Sequence, residues 1–276
     1  MSRVSPVPIG PKTAVLLALV SVAGLAMFAW PLFASASPDS GHTSDAPWIF
    51  VLILPVLVLL VMAQLTEGGM DAKALAMLGV LSAINAVLRP LGAGTNGVET
   101  VYFLLIIAGR VFGPGFGFVL GCTSLFASAL LTAGVGPWLS FQMVACGWVG
   151  LGAGLLPDRV GKRLIRGWAE LAILVIYGIF AAYLFGLLMN LWFWPFIATD
   201  TMGDQSIFSY VPGAPIWENL RRFFAFSLVT STAVWDTGRA ITTTVILVVL
   251  GPSILAILRR ASRRAAFDPV IEFAQS

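Results

Sequence analysis

Apolar runs of about twenty residues recur along the chain, separated by short segments that collect Gly, Pro, Asp, Lys and Arg. A helix of about twenty apolar residues crosses roughly 30 Å of hydrocarbon. Helices can do so because they satisfy their own backbone hydrogen bonds. The pattern predicts eight spans, near 13–33, 48–65, 72–88, 98–112, 115–133, 138–156, 168–194 and 235–258. The short alternating segments of a transmembrane barrel are missing from it. The predicted fold is therefore all-α, a polytopic bundle of about eight membrane helices.

Three segments need separate reading. The start of the chain is basic, then apolar, then small at 34–36, in the order of a signal peptide. Its apolar part is longer than the usual h-region, which favours an uncleaved helix. Residues 34–47 and 195–219 are polar, acidic and turn-rich, and read as exposed segments. Residues 220–234 read as an amphipathic lead-in to the last span. There Arg221 and Arg222 are expected to anchor at lipid headgroups, as is Arg110 at the other membrane face.

Composition agrees. The chain is 58% hydrophobic and 11% charged, outside the range of soluble globular domains. Its net charge of +3 points to no nucleic-acid partner, because the basic residues sit at helix ends. With both termini inside, twelve of the sixteen Lys and Arg fall on the cytoplasmic side, leaving Arg89, Arg221, Arg222 and Arg239 outside. The excess predicts a multi-pass protein of the cell membrane with cytoplasmic ends.

Small residues mark the contacts between spans. Gly113, Gly117, Gly121, Ser124, Ser128 and Thr132 form one ladder, and Cys146, Gly150 and Gly154 another. Lipid tails are as apolar as Leu, so membrane helices associate through the close approach that small residues permit. Cys122 and Cys146 read more readily as packing residues than as a disulfide.

Polar residues at membrane depth are costly and draw attention to function. They collect at one end of the predicted spans. Asn85 and Arg89 are four apart; Asn96, Glu99 and Tyr102 follow in and after the next loop; Trp138 and Gln142 are again four apart; Trp235, Asp236 and Arg239 share the start of the last span. Together they outline an outward-facing polar pocket with aromatic walls, suited to a small ligand. For Trp138 and Gln142 ordinary helix packing is an equal reading, and for Asp236 with Arg239 a structural ion pair or a helix cap is.

Enzyme signatures are missing. The chain has no Gly-x-x-x-x-Gly-Lys-Ser/Thr loop, no Gly-x-Ser-x-Gly elbow and no Asp-rich magnesium motif. His42 is the single histidine, and no Cys-x-x-Cys pair occurs, so neither a zinc site nor any other cofactor is expected.

Residues 71–264 resemble the substrate-binding (S) subunit of energy-coupling-factor (ECF) transporters. The resemblance is carried by Ala72 and Ala76 in an Ala-x-x-x-Ala motif, by AGRVFGP ending at Pro114, by TAGVGPW ending at Trp138, and by TSTAVWD ending at Asp236 with Arg239 beyond. It implies a six-helix binding core at 71–264, preceded by an accessory helical hairpin at 1–70 and followed by a cytoplasmic tail at 265–276. It further implies that the subunit captures a vitamin outside, then docks through Ala72 and Ala76 on a membrane-embedded coupling (T) subunit driven by two cytoplasmic ATPases. Intramolecular packing is the competing reading of those alanines. Within the family, the branch resembled suggests cobalamin or a related corrinoid as cargo. The metal-ion branch is disfavoured, because its members begin Met-His and this chain begins Met1-Ser2. A stand-alone secondary transporter and an intramembrane lipid-modifying enzyme are the rival readings.

Overall fold

The computed structural model describes residues 9–33, 72–92, 97–161, 163–200 and 206–266. Nine helices are labelled here in chain order: α1 Pro11–Phe28, α2 Trp30–Phe33, α3 Ala72–Leu88, α4 Val101–Phe112, α5 Pro114–Leu131, α6 Trp138–Leu155, α7 Trp168–Asp200, α8 Ile216–Ser227 and α9 Thr237–Ala266. A π-helical segment, Leu228–Asp236, joins α8 to α9 without a break. A small antiparallel hairpin, Arg159–Val160 with Arg163–Leu164, connects α6 to α7. Among the described residues, six helical stretches are long and apolar enough to cross a membrane, and α4 is a shorter apolar helix. The chain is an all-α, multi-pass membrane protein. The predicted span at 48–65, the loop containing His42 and residues 267–276 of the predicted tail lie outside the described residues.

The bundle is built around α4. All twelve of its residues are buried, and it touches α3, α5, α6, α7 and α9. Twelve residues rise only about 18 Å, so α4 is a central post rather than a full span. It stops because Gly113 takes a φ of 109°, which L side chains rarely adopt, and Pro114 then starts α5. Close packing follows the small-residue ladders. The Gly150 carbonyl of α6 occupies the space a side chain would need at Gly109 of α4 or Gly117 of α5, and Gly121 lies against the Cys146–Gly147 backbone. Three helices thus meet backbone to backbone. Cys122 and Cys146 are free and buried within this contact.

The end of α4 opposite Glu99 corrects one expectation. Arg110 does not reach headgroups, because the surrounding helices bury it. Its Nε donates to Glu170 of α7 at 2.8 Å and its Nη1 to the Leu156 carbonyl at 2.8 Å. Arg259 of α9 donates to the same Glu170 oxygen at 2.6 Å. One buried carboxylate therefore ties α4, α7 and α9 together.

The first helix is integrated, not peripheral. Trp148 of α6 donates its indole N–H to Ser21 of α1 at 3.0 Å, and Trp30 of α2 donates to the Trp192 carbonyl of α7 at 3.2 Å. Phe28 meets both Phe141 and Trp148, and Phe141 stacks on Trp192 at 4.4 Å. A second cluster pins the segment before α8, with Trp194 packed against Tyr210, Phe223 and Phe226. Asn219 holds both the N–H and the carbonyl of Val211. The amphipathic lead-in is α8. On it Arg221 is exposed, while Arg222 turns back to Glu218 at 2.9 Å and to the Ser206 carbonyl at 3.1 Å.

Candidate functional site

At the end of the bundle where α3 stops, Thr100 donates to the Leu88 carbonyl at 2.6 Å and satisfies one of the carbonyls orphaned there. This folds the loop back so that α4 begins beside α3. The four-residue spacing of Asn85 and Arg89 gives them one face of the helix. Asn85 is buried, and its amide donates to Ser124 of α5 at 3.0 Å. Arg89, one turn on, donates from Nη2 to Oε1 of Gln142 on α6 at 2.9 Å. Trp138 lies one turn before Gln142. Its ring covers the backbone of Gly136, where any side chain would collide with it.

These elements enclose a cavity of about 250 Å³. Arg89, Glu99, Tyr102, Trp138 and Gln142 line it, and Pro90, Val101, Leu125, Thr132, Gly134, Cys146 and Phe185 complete the wall. It is polar at Arg89 and Glu99 and aromatic at Tyr102, Trp138 and Phe185.

A charged layer stands directly behind. Arg239 of α9 is buried and reaches Glu99 Oε1 through Nη2 at 2.8 Å and Asp236 Oδ1 through Nη1 at 2.7 Å. Nη1 also approaches the Ala182 carbonyl of α7 at 3.3 Å. The guanidinium sits 4.9 Å from the Phe185 ring centre and 5.6 Å from that of Tyr102, within cation–π range. Two neighbours admit this arrangement. At Gly186 a Cβ would overlap the Asp236 carboxylate, and at Gly97, whose φ is 78°, it would overlap the Trp235 carbonyl. The wider π-helical turn brings Thr237 to donate to the Thr232 carbonyl, five residues back, at 2.8 Å. It also lets Ser231 donate to Asp236 at 3.1 Å. π-turns occur often at functional sites.

Five of the ten residues singled out in the sequence thus line one cavity. Asp236 and Arg239 support its wall through Glu99. Asn85 lies further off, in the seam between α3 and α5. Trp235 contributes its backbone carbonyl beside Gly97, while its ring is 40% exposed and is not part of the wall. Asn96 lies outside the described residues. Sequence reasoning missed Phe185 and Gly186, which sit inside the long apolar run of α7 with no polar neighbour to mark them. Thr132 and Cys146 belonged to the small-residue ladders, and that periodicity was their only signal. Among the described residues, no cluster of three or more His, Cys, Asp and Glu could hold a metal ion. The prominent acid–base grouping beside the cavity, Arg239 with Glu99 and Asp236, is engaged in ion pairs.

At the opposite end a wider cleft, about 570 Å³, lies between the α4–α5 joint and the end of α6. Arg110 borders it, already committed to Glu170 and the Leu156 carbonyl.

A protein-family model described as the ECF transporter, substrate-specific component, matches residues 73–255. No curated protein matches the chain, and no solved structure does.

Proposed function

Because the chain belongs to the substrate-specific components of ECF transporters, we propose that it captures a small vitamin-class molecule in the cavity lined by Arg89, Glu99, Tyr102, Trp138 and Gln142. The observation that carries this reading is the convergence of those residues, drawn from three helices and a loop, on one space of about 250 Å³. In this reading the cavity faces outward and both chain ends are cytoplasmic, which the distribution of basic residues supports. Residues 71–264 form the binding core, 1–70 an added hairpin, and 265–276 a tail. The loaded subunit docks on a membrane-embedded coupling subunit driven by two cytoplasmic ATPases. Ala72 and Ala76 are exposed on α3 and leave room for close contact with a partner helix.

Cavity size narrows the cargo. Pockets that bury drug-sized ligands run roughly 300–1,000 Å³, and a corrinoid is larger than those ligands. A space of about 250 Å³ favours a smaller vitamin over the corrinoid that the family branch suggests. The test is ATP-dependent uptake of labelled vitamins by cells producing this chain with its coupling subunit and ATPases. Saturable uptake that stops on Ala76→Trp, with binding to the isolated subunit retained, is the expected result. Uptake without the ATPases would favour a secondary transporter, and turnover of a lipid abolished by Asp236→Asn would favour an enzyme. Absence of both binding and uptake for every vitamin overturns the proposal.

A further inference from the structure

We propose that the molecule held in the cavity is a small ring compound with one anionic group, a carboxylate or a phosphate, and that Arg89 receives that group. The proposal rests on the binding-subunit reading above. Two charged side chains line the cavity, Arg89 and Glu99, and they differ in what already neutralises them. Glu99 is held by Arg239, whose other acid partner is Asp236. Its Oε1 already has an ion-pair partner, one that Asp236 shares. Arg89 has a neutral partner only: Gln142 takes one Nη2 hydrogen bond through Oε1, and among the described residues no carboxylate pairs with it. A guanidinium carries five N–H donors in a planar fork that matches carboxylate and phosphate oxygens. Gln142 occupies one and fixes the orientation of the rest. The cavity therefore presents a cation with no carboxylate partner beside an acid that already holds its ion-pair partner.

The rest of the ligand follows from size and wall. A cavity of about 250 Å³ lies just below the range of pockets that bury drug-sized ligands, which suits a compound of one or two small rings with its substituents. Trp138 and Tyr102 offer aromatic surface to that ring. Gln142 acts as a positioning residue for the Arg89 fork, one helical turn from Trp138.

The experiment compares matched pairs on the purified full chain in nanodiscs by equilibrium binding: nicotinate against nicotinamide, biotin against biotinamide, and pyridoxal phosphate against pyridoxal. The expected result is that at least one anionic member binds at least about tenfold tighter than its neutral twin, the gain of a charge-assisted hydrogen bond. The first two pairs report a carboxylate and the third a phosphate. Arg89→Gln erases the preference by weakening the anion alone, Arg89→Lys keeps part of it, and Gln142→Ala reduces it. Equal or tighter binding of the neutral twins by the unmodified chain overturns the anion assignment and leaves the importer reading standing. No saturable binding by any member, together with no ATP-dependent uptake by the assembled transporter, overturns both.

Discussion

Two buried charge clusters staple the same three helices at opposite ends, with inverted stoichiometry. Near the cavity, one arginine, Arg239 of α9, holds two acids, Glu99 and Asp236, and contacts the α7 backbone at Ala182. At the far end one acid, Glu170 of α7, holds Arg110 of α4 and Arg259 of α9 closely, with the more exposed Arg166 at 4.0 Å. Exposure separates them. The Glu170 side chain is 2% exposed, whereas that of Glu99 is 33% exposed and forms part of a cavity wall. The far cluster is a structural tie whose acid is buried. The near cluster is a tie with one side open to the cavity. Under the proposed function, what distinguishes a charged cluster that serves binding from one that only ties helices is that opened face, not its charges alone.

The comparison breaks most visibly by making one substitution at each end. Glu170→Gln removes the acid shared by Arg110, Arg259 and Arg166 and leaves the buried Arg110 without its ion pair; it is expected to cost about 3–5 kcal/mol, read as a large fall in melting temperature in detergent. Glu99→Gln removes an acid that water can partly replace, so it should leave melting nearly unchanged while altering ligand binding. Equal destabilisation by the two would refute the distinction. Gly186→Ala pushes a methyl group into the Asp236 carboxylate and should cost about 1–3 kcal/mol, with binding weakened as Arg239 shifts. Unaltered melting and affinity would show that the near cluster tolerates displacement. Trp148→Phe keeps an aromatic ring but loses the bond to Ser21 and the part of the indole packed on Gly24, at a cost of at least about 1 kcal/mol. The smallest effect belongs to Arg222→Gln on α8. Its partner Glu218 has a side chain 49% exposed, and such pairs contribute about 0–1 kcal/mol, so melting should move little.

Much of this architecture was legible in the chain itself. Run lengths place most of the described spans to within a few residues, but α7 runs through Pro195 to Asp200, past its expected end at 194, and α9 runs to Ala266, past 258; the Gly117, Gly121 and Gly150 ladders mark the contact between α5 and α6. The residues that line the cavity by charge or aromaticity were legible for a related reason: Arg89, Glu99 and Gln142 are conspicuous because polar groups are expensive there. Arg110 was misread because a lone arginine at a helix end looks the same whether it faces lipid headgroups or a buried acid. The acid that decides the matter, Glu170, is sixty residues away. The π-helical register of Leu228–Asp236 has no compositional signature, since it depends on how Asp236 and Thr237 are held by neighbouring turns. Nor does periodicity reveal Phe185, because α7 is apolar on every face and does not announce which side meets the ligand.

The shortness of α4 has a consequence for how the protein tolerates change. A helix wholly wrapped by its neighbours has no side on which a substitution can be absorbed by lipid. In a saturation mutagenesis scan scored by yield of folded protein, 101–112 should appear as an unbroken intolerant band. The flanking α3, with Val80, Ile84 and Val87 facing outward, should show a stripe that accepts almost any apolar replacement.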